Sequence, residues 1–395
     1  MEFPIAEILD PKIQEFIHKN QEENITKLAL KKNPFPELDW QIIINQIAAK
    51  QKCKVKLPLW FTTDKIVFPS KLSIEQTSSE ITAKYKAGLI SGENLIDLTG
   101  GFGVDDYYFA QNFKEVVHCE LNEELSKVVA HNFKVLNQEN IRCVAGDSTK
   151  TLKNLSKKFD WIYVDPSRRN DAKGKVFQLK DCLPNVPELL DFYFNFSNSI
   201  LIKNSPILDI SLAISELNFV KKIYIIALEN EVKELLIEIE KDFNSIIKVE
   251  TTNITKNSVE IFEEDLEDAH QVTYSEPLTY LYEPNSAIMK SGLFNSVANA
   301  YAVKKLHPHS HLYTSDTLVE NFPGRKFLIK ENVEFNKQNI NSVLKNQKMN
   351  LTTRNFPISV EDLRKKYKIL DGGQIYTFAT TTQSNQKVIL ICDKL

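Results

Sequence analysis

The 395-residue sequence lacks the features that mark membrane, secreted and zinc-binding proteins. No apolar run reaches the roughly 18 residues needed to span a bilayer. The opening MEFPIAEILD has neither the basic nor the apolar region of a secretion signal. The five cysteines are scattered, odd in number and without a Cys-x-x-Cys pair, which argues against disulfides and zinc. We therefore expect reduced thiols, no metal, no membrane association and a cytoplasmic location.

The sequence also has little net charge, and this charge is unevenly distributed. A net charge of −3 by itself argues against nucleic-acid binding. Residues 281–395, however, hold 16 Lys and Arg against 9 Asp and Glu, a net +7, so residues 1–280 carry −10. An acidic body joined to a basic C-terminal part is typical of a tethered RNA-binding module. A solvated charged face would explain the same distribution equally well.

The pattern of apolar residues divides the chain into three parts. Residues 1–60 show helical spacing. Residues 61–270 alternate short apolar strands with helices, which predicts a parallel, doubly wound α/β sheet. The predicted strands are 94–98, 116–120, 141–145, 161–164, 200–202 and 223–227, with an edge hairpin at 246–251 and 258–263. Predicted helices include 123–136 and 229–243. Further on, residues 374–380 and 387–392 resemble antiparallel strands.

The strongest local signal is the sequence LIDLTGGFGVD at residues 95–105, where a strand passes through a glycine turn into a helix. Gly100, Gly101 and Gly103 allow a sharp turn and close approach of a ligand to the backbone. The following helix would direct unpaired N–H groups at an anionic group. The spacing fits neither a dinucleotide-binding GxGxxG nor a P-loop. Taken alone, such a turn is as readily explained by a structural role as by ligand binding.

Four acidic residues follow at intervals that change this interpretation. Asp97, Glu120, Asp147 and Asp165 each stand at the end of a predicted strand, on the edge where open α/β sheets bind ligands. Glu120 lies 23 residues after Asp97, which suits an acceptor for ribose hydroxyls. Asp147 is placed to accept a bond from an adenine amino group. Helix capping is the alternative role for each acid.

The series DLTGGFG, Glu120, GDS and DPSR resembles the motifs of class I S-adenosylmethionine (SAM)-dependent methyltransferases over residues 72–262. This resemblance implies SAM as cofactor and a Rossmann-like, seven-stranded sheet. It also implies that Asp97 and the glycine turn hold the methionine part, Glu120 the ribose and Asp147 the adenine. The full set of cofactor-binding residues expected is Gln76, Asp97, Thr99, Gly100, Gly101, Phe102, Gly103, Glu120, Asp147 and Ser148.

Further segments resemble one bacterial group of RNA methyltransferases that has a C-terminal THUMP-like domain. They are LSIEQTSSEITAKYK at 72–86, YLYEPN at 280–285, and TTRNFP, LRKKYK and DGG between 352 and 373. The resemblance implies an RNA (rRNA or tRNA) partner. It gives four parts: a helical region at 1–60, a methyltransferase domain at 61–270, a ferredoxin-like segment at 271–320 and a THUMP-like domain at 321–395.

The expected catalytic residues are Asp165, Pro166, Ser167 and Arg168. Amino-group methyltransferases present [DNS]-P-P-[YFW] here, where the polar groups accept hydrogen bonds from an exocyclic NH2 and the aromatic residue stacks on the base. In this chain Ser167 replaces the second proline and Arg168 the aromatic residue. A guanidinium can also stack on a base, so the function survives while the identity of the base becomes open.

The sequence DPSR is also similar to the DPPR of uracil-C5 RNA methyltransferases, which use a cysteine nucleophile after the fifth strand. The corresponding IKNSP at residues 202–206 contains no cysteine, which disfavours carbon methylation. Direct transfer to nitrogen or oxygen requires no metal. The residues expected to bind substrate are Arg169, Lys203, Ser205, Arg354, Lys365 and Lys366.

Three functions remain open from the sequence. The favoured one is methylation of an exocyclic amine on an RNA base. The others are methylation of a protein or small molecule, and non-catalytic RNA binding. The oligomeric state is not predicted. His307, His309 and His311 would share one face if they formed a strand, but without a nearby Cys or acid a surface loop touching phosphate is favoured over metal binding.

Overall fold

The structure is a computed structural model that describes residues 3–168, 178–267 and 270–395. The chain divides into two compact units. The first comprises Met1–Lys221 with Leu235–Asn244, and the second comprises Lys222–Glu234 with Ser245–Leu395.

The first unit begins with short helices, as the apolar spacing predicted. They are α1 Ile5–Ile8, α2 Pro11–Lys19, α3 Ile25–Ala29, α4 Trp40–Lys56, α5 Pro58–Thr62, α6 Lys71–Gln76 and α7 Glu80–Ala87. Asp10, Asn24 and Asp39 cap α2, α3 and α4 by accepting backbone N–H bonds. Ile13, Ile43 and other buried aliphatic residues pack between these helices into one apolar cluster.

A mostly parallel sheet follows in this unit. Its strands and the two short strands beside it are β1 Gly92–Asp97, β2 Phe113–Glu120, β3 Ile141–Ala145, β4 Trp161–Val164, β5 Ser167–Arg168, β6 Cys182–Leu183, β7 Ser199–Asn204, β8 Val220–Leu228 and β9 Glu231–Glu240. Most of β8 and the first residues of β9 belong to the second unit. The connecting helices are α8 Val104–Phe109, α9 Glu123–Val135, α10 Ser148–Leu155, α11 Val186–Tyr193 and α12 Ile210–Glu216. The parallel order β3-β2-β1-β4-β7, with β9 antiparallel to β7, confirms the Rossmann-like sheet.

The helix predicted over residues 229–243 is wrong, because this segment forms strand β9. Six consecutive residues of β9, from Glu234 to Ile239, are buried. A strand covered on both faces loses the alternation of apolar and polar residues, so its apolar run can imitate helical spacing. The β-branched residues Val232, Ile237 and Ile239 favour the extended conformation.

The second unit contains two groups of strands. In the first group the order is β9-β8-β10-β11, with β10 Lys248–Ile254 and β11 Val259–Asp265 forming the predicted antiparallel hairpin. Within the described residues, β10 and β11 bring the number of strands in the order that contains β1 to nine, two more than the seven that the resemblance implied.

The other group is a separate sheet with the order β13-β14-β12-β15-β18-β17-β16. Its strands are β12 Tyr280–Pro284, β13 Lys304–Lys305, β14 Tyr313–Ser315, β15 Gly324–Glu334, β16 Lys348–Arg354, β17 Leu370–Thr381 and β18 Lys387–Lys394. The helices of this unit are α13 Ser286–Ser291, α14 Phe294–Ala300, α15 Lys337–Leu344 and α16 Val360–Tyr367. Strands β17 and β18 are antiparallel, as predicted. Helices α15 and α16 pack on one face through Ile340, Leu344 and Leu363.

Candidate functional site

The predicted acidic residues do stand at the carboxyl ends of neighbouring strands. Asp97 ends β1 and Glu120 ends β2, while Asp165 directly follows β4. Strands β4 and β7 pair in parallel with Val164 opposite Ile202, which brings Lys203 next to Asp165. These side chains therefore share one edge of the sheet, where parallel α/β proteins bind their ligands.

The glycine turn lies against the end of β2. Its Gly101 and Gly103 adopt left-handed backbone angles, with φ of +55° and +75°. The Gly101 N–H donates to Glu120 Oε2 at 2.9 Å, and the Asn122 N–H donates to Glu120 Oε1 at 2.7 Å. A Cβ on Gly100 would stand 2.1 Å from His118 Cε1, so only glycine fits there without displacement of the buried imidazole.

Asp97 supports the turn from beneath. It is 2% exposed, and its Oδ1 accepts the Thr99 N–H at 2.7 Å and the Thr99 hydroxyl at 3.1 Å. Burial raises the pKa of Asp97 well above its usual value, and the nearby Asp106 adds to this effect. The enclosed carboxyl therefore fixes the conformation of the turn through Thr99, and it has little surface with which to contact a ligand directly.

A second buried pair lies close to Asp97. Asp106 Oδ2 and His118 Nδ1 are 2.5 Å apart, and both side chains are fully buried. Burial, followed by repulsion from Asp105, raises the pKa of Asp106 well above its usual value, and burial lowers the pKa of His118. Both shifts favour the neutral forms, which matches a site enclosed among β1, α8 and β2.

A buried lysine network beside the site was missed by the sequence analysis. Lys86 of α7 is completely buried, and its Nζ lies 3.0 Å from Asp105 Oδ1 and 3.1 Å from Ser78 Oγ. Tyr163 donates its hydroxyl to Asp105 Oδ2 at 2.8 Å. Burial would raise the pKa of Asp105, but attraction to Lys86 and then Lys203 holds it below its usual value. The sequence contained a signal for this pair, because Lys86 is the last residue of the segment 72–86 and Asp105 is the last residue of the glycine motif.

Asp165 is held from two sides. Its N–H donates to Thr99 Oγ1 at 2.6 Å, and its carboxylate forms an ion pair with Lys203 Nζ. The Asp165 side chain is 37% exposed, whereas that of Lys203 is 11% exposed. Lys203 was expected to bind substrate, which stays a prediction; in the structure its ammonium group pairs with Asp165. Ser205, the next predicted contact on this strand end, is exposed.

The residues after Asp165 form the small β5–β6 ribbon. Pro166 is buried and Ser167 is exposed, and Ser167 pairs with Leu183. The Arg168 backbone pairs with Cys182, which is fully buried. The Arg168 side chain and the whole of Arg169 lie outside the part of the chain that the structure describes.

The remaining predicted cofactor residues differ in their surroundings. Asp147 caps α10, where it accepts the Lys150 N–H at 2.9 Å and the Thr149 hydroxyl. The bond from Thr149, and after it the bond from Lys150, lowers the pKa of Asp147. Asp147 is nevertheless exposed and borders a cavity of about 540 Å³ at the end of β3. Ser148 follows it at the start of α10, half-buried, and Gln76 is exposed at the end of α6.

Phe102 packs inward. It is 4% exposed, and its ring centroid lies 6.4 Å from that of Trp60. A surface cavity of about 510 Å³, lined by Gly92, Asp160 and Ser199 among others, opens at the amino ends of the strands. We place no chemistry there, because the glycine turn and the rim carboxylates all stand at the opposite edge.

The predicted substrate residues of the C-terminal part separate into two places. Arg354 forms an ion pair with the buried Glu283, with its Nη2 2.8 Å from Glu283 Oε1. Lys365 and Lys366 are exposed in the last turn of α16. The three histidines lie around the turn between β13 and β14 and do not form one strand face. Within the described residues, no group of His, Cys, Asp and Glu side chains is arranged to hold a metal ion.

The geometry at the carboxyl edge fits an adenosyl cofactor. Glu120 is half-buried and presents two oxygens that backbone N–H groups already orient. Around a Cβ on Gly101 the nearest heavy atom would be Thr99 O at 3.7 Å, so the turn leaves open space for a ligand. An oriented carboxylate beside a bare backbone turn at a helix start is the donor and acceptor set that a nucleoside with a charged tail requires.

The fold and this edge define a class I methyltransferase, and comparisons with known proteins agree. A family model of RNA cap guanine-N2 methyltransferases matches residues 92–181. A ferredoxin-like domain model matches residues 280–323, and a THUMP domain-like model matches residues 324–394. No helix among the described residues has both the length and the apolar character needed to cross a bilayer.

Solved structures extend the match over the whole chain. A protein from Porphyromonas gingivalis W83, assigned as a methyltransferase, is 31% identical, with 100% of both chains covered and a TM-score of 0.88. M. capricolum TrmK in complex with S-adenosyl-homocysteine is 16% identical over 42% of this chain and 69% of that chain, with a TM-score of 0.33. No curated protein matched.

The chain therefore belongs to the family of the P. gingivalis protein, the class I SAM-dependent methyltransferases with a C-terminal THUMP-like domain. It is a methyltransferase, and SAM is its cofactor. The non-catalytic alternative is thereby set aside. The domain limits expected from the sequence, 61–270, 271–320 and 321–395, stay predictions.

Proposed function

We propose that this enzyme transfers the methyl group of SAM to an exocyclic amine of an RNA base, with Asp165 as the residue that receives the amine. The observation on which this depends is the position of Asp165. Asp165 directly follows β4, and its backbone N–H is held by the Thr99 hydroxyl. Its carboxylate is paired with Lys203, and the side chain remains 37% exposed. A fixed, accessible acceptor next to the glycine turn is what alignment of an NH2 group requires.

In this proposal the cofactor lies along the carboxyl edge of the sheet. The backbone of Gly100, Gly101 and Gly103 would face its methionine part, Glu120 its ribose and Asp147 its adenine. Asp97, Thr99 and Phe102 shape the turn from within, while Ser148 and Gln76 border the site. When bound, SAM supplies a methyl group that its sulfonium already activates, so no metal is needed.

The role of the chain's own residues is then orientation. A free oxygen of Asp165 accepts one N–H of the amine, which turns the nitrogen lone pair toward the methyl carbon. The new N–C bond forms as the C–S bond breaks, and the proton lost from nitrogen passes to solvent at the exposed carboxylate. Pro166 fixes the backbone after Asp165, and we assign the face of the base to Ser167 and Arg168, with Arg169 and Ser205 as flanking contacts.

Two comparisons support RNA and an amine. The family model over residues 92–181 contains Asp165–Arg168, and its description names guanine N2, an exocyclic amine. The model over residues 324–394 is THUMP domain-like, and the surrounding residues 281–395 carry a net charge of +7. A basic module attached to the catalytic unit suits a large polyanion better than a small molecule.

The test is methyl transfer by the purified full chain to RNA from a strain that lacks the gene. We expect label from SAM to enter rRNA or tRNA, and mass spectrometry of the nucleosides to find an N-methylated base. Asp165→Ala should abolish transfer while SAM still binds. Label entering only proteins or small molecules, or a C-methylated base as product, would overturn the proposal.

A further inference from the structure

One buried carboxylate in the second unit organises two arginines. The Glu283 side chain is 4% exposed. The Glu283 Oε2 atom accepts hydrogen bonds from Arg325, from Nε at 2.6 Å and from Nη2. The Glu283 Oε1 atom accepts hydrogen bonds from Arg354, from Nε at 3.2 Å and from Nη2 at 2.8 Å. Within the described residues no hydrogen bond is formed by either Nη1. Since Arg325 is 34% and Arg354 36% exposed, each guanidinium keeps donors for a ligand.

The sheet must be strongly curved to make this contact. Glu283 is on β12 and Arg354 on β16, four strands apart in the sheet order, which would separate them by about 19 Å in a flat sheet. The curvature also brings in the β13–β14 turn. Ser310 Oγ donates to Thr381 O at 2.8 Å, and Thr381 Oγ1 donates to Asn355 O at 2.5 Å.

The histidines of that turn complete the cluster. His307 Nδ1 lies 2.9 Å from Asn355 Nδ2, so the turn is tied to the residue that follows Arg354. We call the set of Lys305, His307, His309, His311, Arg325 and Arg354 the arginine–histidine cluster. Its three permanent cations and the single carboxylate of Glu283 give a net +2.

His311 lies at this cluster, close to Lys305 and Arg354. Its ring stacks on Phe294 with centroids 3.6 Å apart, and its buried Nδ1 has no hydrogen-bond partner among the described residues. Burial, and then the charges of Lys305 and Arg354, lower the pKa of His311 to about 4. Neighbouring cations disfavour a further positive charge, and the same field attracts an anion.

We propose that the arginine–histidine cluster binds a phosphodiester group of the substrate RNA. Arginine presents planar, paired N–H donors that match phosphate oxygens. Glu283 has already ordered both guanidinium groups, so less side-chain entropy is lost when the ligand binds. The proposal rests on the proposed function for the choice of RNA, but its geometry lies wholly within the second unit.

The experiment places a negative charge beside the cluster without disturbing the Glu283 pairs. Asn355 is exposed with φ of +50°, a conformation that aspartate also tolerates. Asn137 of the first unit is a matched control, since it is exposed with φ of +55°. RNA binding by the full-length protein is measured by fluorescence anisotropy without SAM. We expect N355D to weaken binding about fivefold and N137D to leave it unchanged.

Two further variants make the result decisive. Arg354→Gln should weaken binding and lower the slope of log affinity against log salt by about one. Asn346→Asp tests the alternative surface around Lys365 and Lys366, because the Asn346 N–H donates to Tyr367 O, next to these lysines. Equal binding by wild type and N355D, loss with N346D alone, or equally tight binding of poly-glutamate would overturn the proposal. If wild type neither binds nor methylates RNA, the proposed function itself fails.

Discussion

At the scale of single residues, Asp165 and Lys203 form the pair on which the proposed chemistry depends. Neighbouring parallel strands hold them side by side, and Thr99 fixes the backbone of Asp165. Lys203 is mostly buried, so its contact with Asp165 occurs in surroundings that screen charge less than water does. We infer that Lys203 is a positioning residue, which keeps one carboxylate oxygen aimed at the incoming amine.

Replacing Lys203 by methionine should therefore lower kcat/KM for RNA by about 100-fold, because the carboxylate loses its orientation. The fall should appear in kcat, with the KM for SAM unchanged, and Lys203→Arg should restore activity to within about tenfold. Steady-state kinetics with labelled SAM would measure both effects.

Lys222→Met provides the matched control for this prediction. Lys222 also forms a partly buried ion pair, with its Nζ 2.7 Å from Glu250 Oε2, but it belongs to the second unit. This variant should keep the wild-type kcat/KM. An active K203M enzyme, or an equally inactive K222M enzyme, would show that Lys203 has only a structural role.

At the scale of elements, the glycine turn shows why two of its neighbouring positions are glycine. Gly100 needs the absence of a side chain, because His118 occupies the space that a Cβ would take. Gly101 needs its backbone angle, with φ of +55°, but its surroundings are open. The two neighbours therefore meet different physical constraints within one turn.

We expect Gly100→Ala to lower the free energy of unfolding by about 3 kcal/mol, since a buried imidazole must move to admit the methyl group. Gly101→Ala should cost only about 1 kcal/mol for its left-handed angle. Urea denaturation of both variants measures the difference. Equal stabilities would mean that His118 does not pack against Gly100 as described.

Elements also set the limit of sequence prediction here. Strands β3 and β4 were predicted to the residue, because their short apolar runs stand between clear turn and helix signals. Strand β9 was missed because a strand buried on both faces loses the two-residue period. The turn at His307–His311 could not be predicted for a related reason: its contacts are with Asn355 and Thr381, far along the chain.

At the scale of the whole molecule, the order of motifs along the chain was sufficient for the fold class and the cofactor. Four acids at regular strand ends can be read from sequence, because parallel strands bring their carboxyl ends to one edge. Partners across the fold cannot be read in this way. The pairs Lys86–Asp105, Asp165–Lys203 and Glu283–Arg354 join residues 19, 38 and 71 positions apart.

These long-range pairs changed the roles given to particular residues. Arg354 and Lys203 were both expected to touch substrate, yet each first neutralises a carboxylate of its own unit. Asp97 was expected to touch the cofactor, yet it is enclosed beneath Thr99. In each case the sequence indicated an important position, and only the packing indicated what that residue contacts.

The most direct test of the central claim is calorimetric titration of S-adenosyl-homocysteine into the full-length protein and into Glu120→Gln. Glutamine keeps the size and one acceptor but removes the charge that should bind both ribose hydroxyls. We predict binding at least about tenfold weaker, with the exposed Glu139→Gln variant unchanged as control. Equal affinity of wild type and E120Q would contradict a cofactor site at the carboxyl edge of this sheet.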